Sequence, residues 1–125
     1  MEHLSLKHNS SLLSFCESLS KQLNNSTFKF DRENETEWAI TNHLGLSINV
    51  SRPFEEGILQ EWDDTVPADC NFGITISSNN TITKPQLDHI GNLISNTFNT
   101  KVFHHRTHIS PSNNKKRENV YNNVP

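Results

Sequence analysis

The chain has 125 residues, a formal net charge of −3, 32% apolar residues and two cysteines. This length accommodates one hydrophobic core and falls short of two ordinary domains. Asn, Ser and Thr make up the apolar shortfall without adding the self-repulsion that marks many disordered chains, so an ordered domain with a polar skin is expected. No apolar run approaches the ~20 residues that cross a bilayer. The start, Met1-Glu2-His3-Leu4-Ser5, lacks a basic segment followed by an apolar one, so a cytoplasmic location is expected. Cys16 and Cys70 are too few and too far apart for a disulfide framework or a zinc motif, and are expected as reduced thiols.

The first element is a helix over residues 10–24. Leu12, Cys16, Leu19 and Leu23 form one stripe with Phe15 beside it, Ser10 or Ser11 caps the start, and Asn24-Asn25 is the stop. Three alternating segments follow: Phe28 and Phe30 around Lys29, Trp38 and Ile40 around Ala39, then Leu46, Ile48 and Val50. Period-two spacing sets one side of a strand on a core, and the short polar connections predict an antiparallel meander. Pro53 ends the third strand. Residues 53–71 are irregular or hold one short helix near Ile58–Trp62, and a fourth strand carries Phe72, Ile74 and Ile76.

The second helix has the clearest start. Thr83 and Gln86 make a capping box, Ile82 and Leu87 a hydrophobic staple, and Pro85 sits in the first turn. Leu87, Ile90, Ile94 and Phe98 form its buried stripe, and a last strand spans Lys101–His108. Residues 111–125 have no apolar period and read as a disordered polar, basic tail after a single domain at 1–110. The expected fold is α+β, with one mainly antiparallel sheet of about five strands, two helices on one face and the order α-β-β-β-β-α-β.

Charge is distributed unevenly. Residues 31–69 hold ten acids (Asp31, Glu33, Glu35, Glu37, Glu55, Glu56, Glu61, Asp63, Asp64 and Asp69) against Arg32 and Arg52 alone. From Glu55 to Asp69 there is no compensating Lys or Arg, and Phe54, Ile58, Leu59 and Trp62 lie in or beside that run. Like charges this close repel unless a cation is near, long connections in small domains are disproportionately functional, and apolar anchors ringed by charge are the anatomy of a recognition patch. The competing reading is a solvated loop with Trp62 and Leu59 folded into the core.

Catalytic and cofactor motifs are weak. His104 and His108 would share one side of a strand and His105 the other, but no carboxylate or Cys stands near them in sequence at a metal-site spacing, so no metal is expected. Asp63-Asp64 is an adjacent pair, whereas acid–base work needs carboxylates in different environments. Four scattered glycines make no phosphate loop, no serine sits in a nucleophile elbow, and Cys16 lies on a core stripe. Lys115-Lys116-Arg117 is too small a basic run for a nucleic-acid footprint. The chain is therefore expected to be no enzyme and to hold no cofactor.

The run from Val50-Ser51-Arg52-Pro53-Phe54-Glu55-Glu56-Gly57 through Glu61-Trp62-Asp63-Asp64-Thr65-Val66-Pro67 to Cys70-Asn71-Phe72-Gly73-Ile74, set in the α+β plan of residues 10–109, resembles small immunity proteins of bacterial toxin–immunity systems of the contact-dependent growth inhibition type. The likeness is one of architecture and charge. It implies a cytoplasmic inhibitor, monomeric or weakly dimeric, that binds a cognate and basic toxin domain, without nucleic acid or membrane as partner. Glu55, Glu56, Glu61, Trp62, Asp63, Asp64 and Asp69 would face the toxin, since an acidic surface speeds encounter with a basic nuclease and blocks its site. The alternatives are a secretion chaperone or adaptor, dimeric with an open apolar groove, and a small metal-dependent hydrolase using His104 and His108.

Overall fold

Local chemistry starts and stops both helices. In the computed structural model, which describes residues 2–33, 36–51, 70–105 and 119–122, helix α1 spans Leu12–Gln22 and its N-cap is Ser11, whose hydroxyl accepts the Ser14 N–H. It ends where Asn24 and Asn25 enter the left-handed region at φ 54° and 59°, a conformation Asn tolerates better than most residues. Helix α2, Lys84–Phe98, carries the full capping box: Thr83 Oγ1 accepts from Gln86 N–H, and Gln86 Oε1 accepts from Thr83 N–H at 2.9 Å. Its C-cap, Asn99, is again left-handed at φ 53°.

The strands are β1 (Glu2–Leu6), β2 (Lys29–Glu33), β3 (Thr36–His43), β4 (Leu46–Ser51), β5 (Phe72–Ser77), β6 (Val102–His105) and β7 (Asn119–Tyr121), in one sheet of order β2-β3-β4-β5-β1-β6-β7. Every pairing is antiparallel. Among the described residues the fold is thus α+β with two helices, but with seven strands in place of about five and the chain order β-α-β-β-β-β-α-β-β. The added strands are β1 and β7. The former runs between β5 and β6, so the chain's beginning closes the middle of the sheet. The latter places residues 119–121, within the stretch expected to be a tail, on the sheet edge. Residues 111–118 and 123–125 lie outside the described residues.

The register assigns one side of the sheet to the core. Leu4 stands opposite Ile74 and His104, Ile48 opposite Ile76 and Thr41, and Val102 opposite Leu6 and Tyr121. Phe72, which touches α1, and Tyr121, which touches α2, fall on the same side by this register. Both helices therefore cover one face, and their stripes join the strands in a single buried cluster.

Strand β3 departs from the sequence reading. Its inward residues are Ala39, Thr41 and His43, all buried, while Trp38 and Ile40 point to the other side and are half-buried. Pairing decides this, because Ala39 must sit beside Val50 and Thr41 beside Ile48, and a one-residue slip would turn every side chain over. Small inward residues also suit a strand that α1 crosses. The β3–β4 turn consists of Leu44 and Gly45, both at positive φ (51° and 78°), the two-residue geometry that matches strand twist.

Candidate functional site

Each residue proposed from sequence to face a partner (Glu55, Glu56, Glu61, Trp62, Asp63, Asp64 and Asp69) lies outside the described residues, as does His108. What the structure gives is the frame from which the acidic connection 52–69 departs. Its two roots are on neighbouring strands: Ser51, the last residue of β4, stands opposite Gly73 of β5. A hairpin needs only about two to five residues to join such strands, so this connection is an insertion into a hairpin. The second root is clamped. Asn71 Oδ1 accepts the His8 N–H at 3.0 Å, Asn71 Nδ2 donates to the His8 carbonyl at 2.9 Å, and Asn71 N–H donates to the Leu6 carbonyl at 3.0 Å. Cys70 beside it is buried.

The strand order adds a juxtaposition that linear sequence does not show. Trp38 of β3 is opposite Ser51, so the β2–β3 hairpin tip lies at the end of the sheet from which 52–69 leaves. That tip bears Asp31, Glu33 and Glu37, the last within 3.9 Å of Arg32. The roots of the acidic connection and the acidic ends of β2 and β3 therefore share the β2–β5 half of one end, while Lys7 and Lys101 belong to the β1–β6 half of it.

At the same end a ring cluster joins the root to the core. Phe15 stacks on Phe72 at 4.3 Å and on Phe98 at 4.0 Å between centroids, and the His8 imidazole meets the Phe98 ring edge-on at 4.8 Å. Burial holds His8 below its ordinary pKa of 6.5. His43 is lowered too, by burial first and then by nearby His89, against a hydrogen bond to the Leu23 carbonyl that raises it. Between each depressed native pKa and 6.5 the unfolded chain binds a proton that the native state refuses. The stability these neutral histidines allow is complete above about pH 6.5, falls as acid is added through that value, and levels off below the native pKa. Urea midpoints measured from pH 8 to pH 4.5 should follow that course, and His8→Phe should make the acid slope shallower.

Histidine 104 belongs to the core. It is fully buried, and its Nε2 lies 2.8 Å from Oε2 of Glu2, itself 3% exposed. The carboxylate missing from its sequence neighbourhood arrives from a strand 102 residues away. Among the described residues no three His, Cys, Asp or Glu groups converge as metal ligands. Burial also pushes the Cys16 thiol up to about 12, which leaves no nucleophilic thiolate near neutral pH.

A shallow groove between α1 and the edge strand β2, lined by Leu12, Leu13, Phe30, Asp31, Arg32 and Glu37, is a surface feature that the sequence reading did not single out. Leu13 is 55% and Phe30 48% exposed. The signal was in the sequence: Leu13 stands off the α1 stripe, and Phe30 is in a strand whose other residues are charged.

The chain matches no protein-family model, no curated protein and no solved structure. No helix among the described residues is long and apolar enough to cross a membrane.

Proposed function

We propose that this chain is a non-catalytic inhibitor of the immunity-protein kind, which binds and neutralises a cognate basic toxin domain through the acidic end of its sheet. One observation carries the reading: an acid-rich insertion leaves and re-enters adjacent strands β4 and β5 beside a second acidic tip, that of β2–β3. Carboxylates gathered at one end of a rigid sheet form a field that a cationic partner relieves, and such a field raises association rates. Glu55, Glu56, Glu61, Asp63, Asp64 and Asp69 supply charge in this reading and Trp62 the apolar anchor, with Asp31, Glu33 and Glu37 extending the surface. A basic nuclease would meet these groups with the same Lys and Arg it uses on phosphate.

The test is co-purification of the chain with its bound partner from the native host, followed by calorimetry on the purified pair at low and high salt. Tight, salt-sensitive binding is expected. The double variant Glu61→Lys/Asp64→Lys should bind on the order of a hundredfold more weakly and with a flatter salt dependence, because two attractions become repulsions. Equal affinity of the variant, with its circular dichroism unchanged, would remove the acidic surface from the mechanism. The exposed pair Leu13 and Phe30 favours one second reading, a chaperone that holds an apolar segment of an effector in the α1–β2 groove. That reading predicts binding that Phe30→Asp abolishes and Glu61→Lys/Asp64→Lys leaves intact.

A further inference from the structure

We infer that strand β2 is a self-association edge, and that its occupant is β2 of a second copy running antiparallel to it, which extends the sheet across a two-fold axis at Phe30. All five residues of β2, Lys29-Phe30-Asp31-Arg32-Glu33, are exposed, and β3 pairs with only one side of the strand. An edge strand offers backbone donors and acceptors to any extended neighbour, and charged residues usually blunt it. Here the charges alternate in sign, so what repels an arbitrary strand can fit its own copy. An axis through Asp31 would set two carboxylates face to face. An axis through Phe30 sets Lys29 opposite Asp31 of the second copy, twice by symmetry, and Phe30 opposite Phe30. Cross-strand pairs of opposite charge and of aromatic rings stabilise a ladder, whereas like charges weaken it.

Side-chain parity agrees with this register. Phe30 stands opposite buried Ala39, so it lies on the helix-bearing side, where exposed Leu13 lines the same groove. An isologous pairing covers both apolar residues with their own equivalents. A chaperone needs an apolar groove that stays open in the dimer, and this arrangement closes the one at β2. The dimer and toxin-binding readings share Asp31 but not Lys29 or Phe30, and the roots of the insertion are on β4 and β5, on the other side of β3. Lys29→Asp therefore tests the dimer at a residue outside the proposed toxin-facing surface.

Sedimentation equilibrium of the full chain over about a hundredfold concentration range tests it, since a dimer formed by mass action declares itself in the concentration dependence of mass. The wild-type chain should reach dimer mass. Lys29→Asp and Asp31→Lys should each weaken dimerisation by about tenfold or more, because both symmetric pairs turn repulsive. The double variant Lys29→Asp/Asp31→Lys restores opposite charges across the axis and should recover the dimer. Circular dichroism confirms that each variant is folded. A wild-type chain that stays monomeric, single variants that dimerise as well as wild type, or a double variant no better than the singles would each overturn the inference.

Discussion

Replacing Glu2 with Ala is expected to lower the unfolding free energy by about 3 kcal/mol, because removing one member of a buried polar pair takes a buried hydrogen bond from the other. Glu2 and His104 are 3% and 0% exposed and 2.8 Å apart, joining β1 to β6 on the core side near α2. His104→Ala should cost a similar amount. The informative variant is Glu2→Leu/His104→Leu. A well-packed apolar pair spares the desolvation of two polar groups, so the double variant should fall within ~1 kcal/mol of wild type while each single is strongly destabilised. Denaturant unfolding of the four proteins gives the coupling energy directly. Additive losses would mean that each residue is held by its other neighbours and that the contact contributes little. If the coupling is large, β1 depends on a polar clasp, which explains how a strand with only two inward leucines holds the middle of the sheet.

Replacing Gly91 with Ala is the second large effect. A Cβ at Gly91 would collide with Cδ2 and Cε2 of Tyr121 and lie 2.8 Å from its Cγ. Contact at Cγ, close to the backbone, means that rotating the ring tip gives little relief and β7 itself must move. Overpacking of this kind costs about 1–3 kcal/mol. It should also displace the Tyr121 hydroxyl, which donates to Asp88 Oδ1 at 2.8 Å while Lys84 holds Oδ2. The control reverses the sign. In a Tyr121→Ala background the ring is gone, and Gly91→Ala should then stabilise by up to about 1 kcal/mol, the ordinary helix preference for Ala over Gly. Thermal melts of the two singles and the double decide the matter, together with hydrogen exchange at Val102 and Phe103, of which one amide faces β7 and reports its loss while the other faces β1 and serves as the control. A Gly91→Ala variant as stable as wild type, with the β7-facing amide still protected, would show that β7 does not rest on this contact.

The two helices were legible because their signals are local. Caps, stripes and the Asn stops lie within a few residues of what they control, and Ser11, Thr83 and Gln86 act in the structure as their spacing implies. The meander of β2, β3 and β4 was legible for the same reason, through alternation and short connections. Strands β1 and β7 were not. Each is short, and each has an inward residue whose burial depends on a distant partner: Glu2 on His104, and Tyr121 on Gly91. Trp38 misled for a related reason, since hydrophobicity chose one side of β3 and the pairing with β4 imposed the other.

Taken alone, the amino-acid order determined two capped amphipathic helices, an antiparallel meander and an acid-rich run between the third and fourth predicted strands. Those properties rest on forces that act over one turn of helix or one hairpin. Only the tertiary structure decided that the first strand enters the interior of the sheet, that His104 meets a buried carboxylate, that Phe30 stands on an edge strand among the described residues and that the roots of the acidic connection share one end with the acidic ends of β2 and β3. Each of these depends on strand order and register, which are set by contacts between residues distant in the chain.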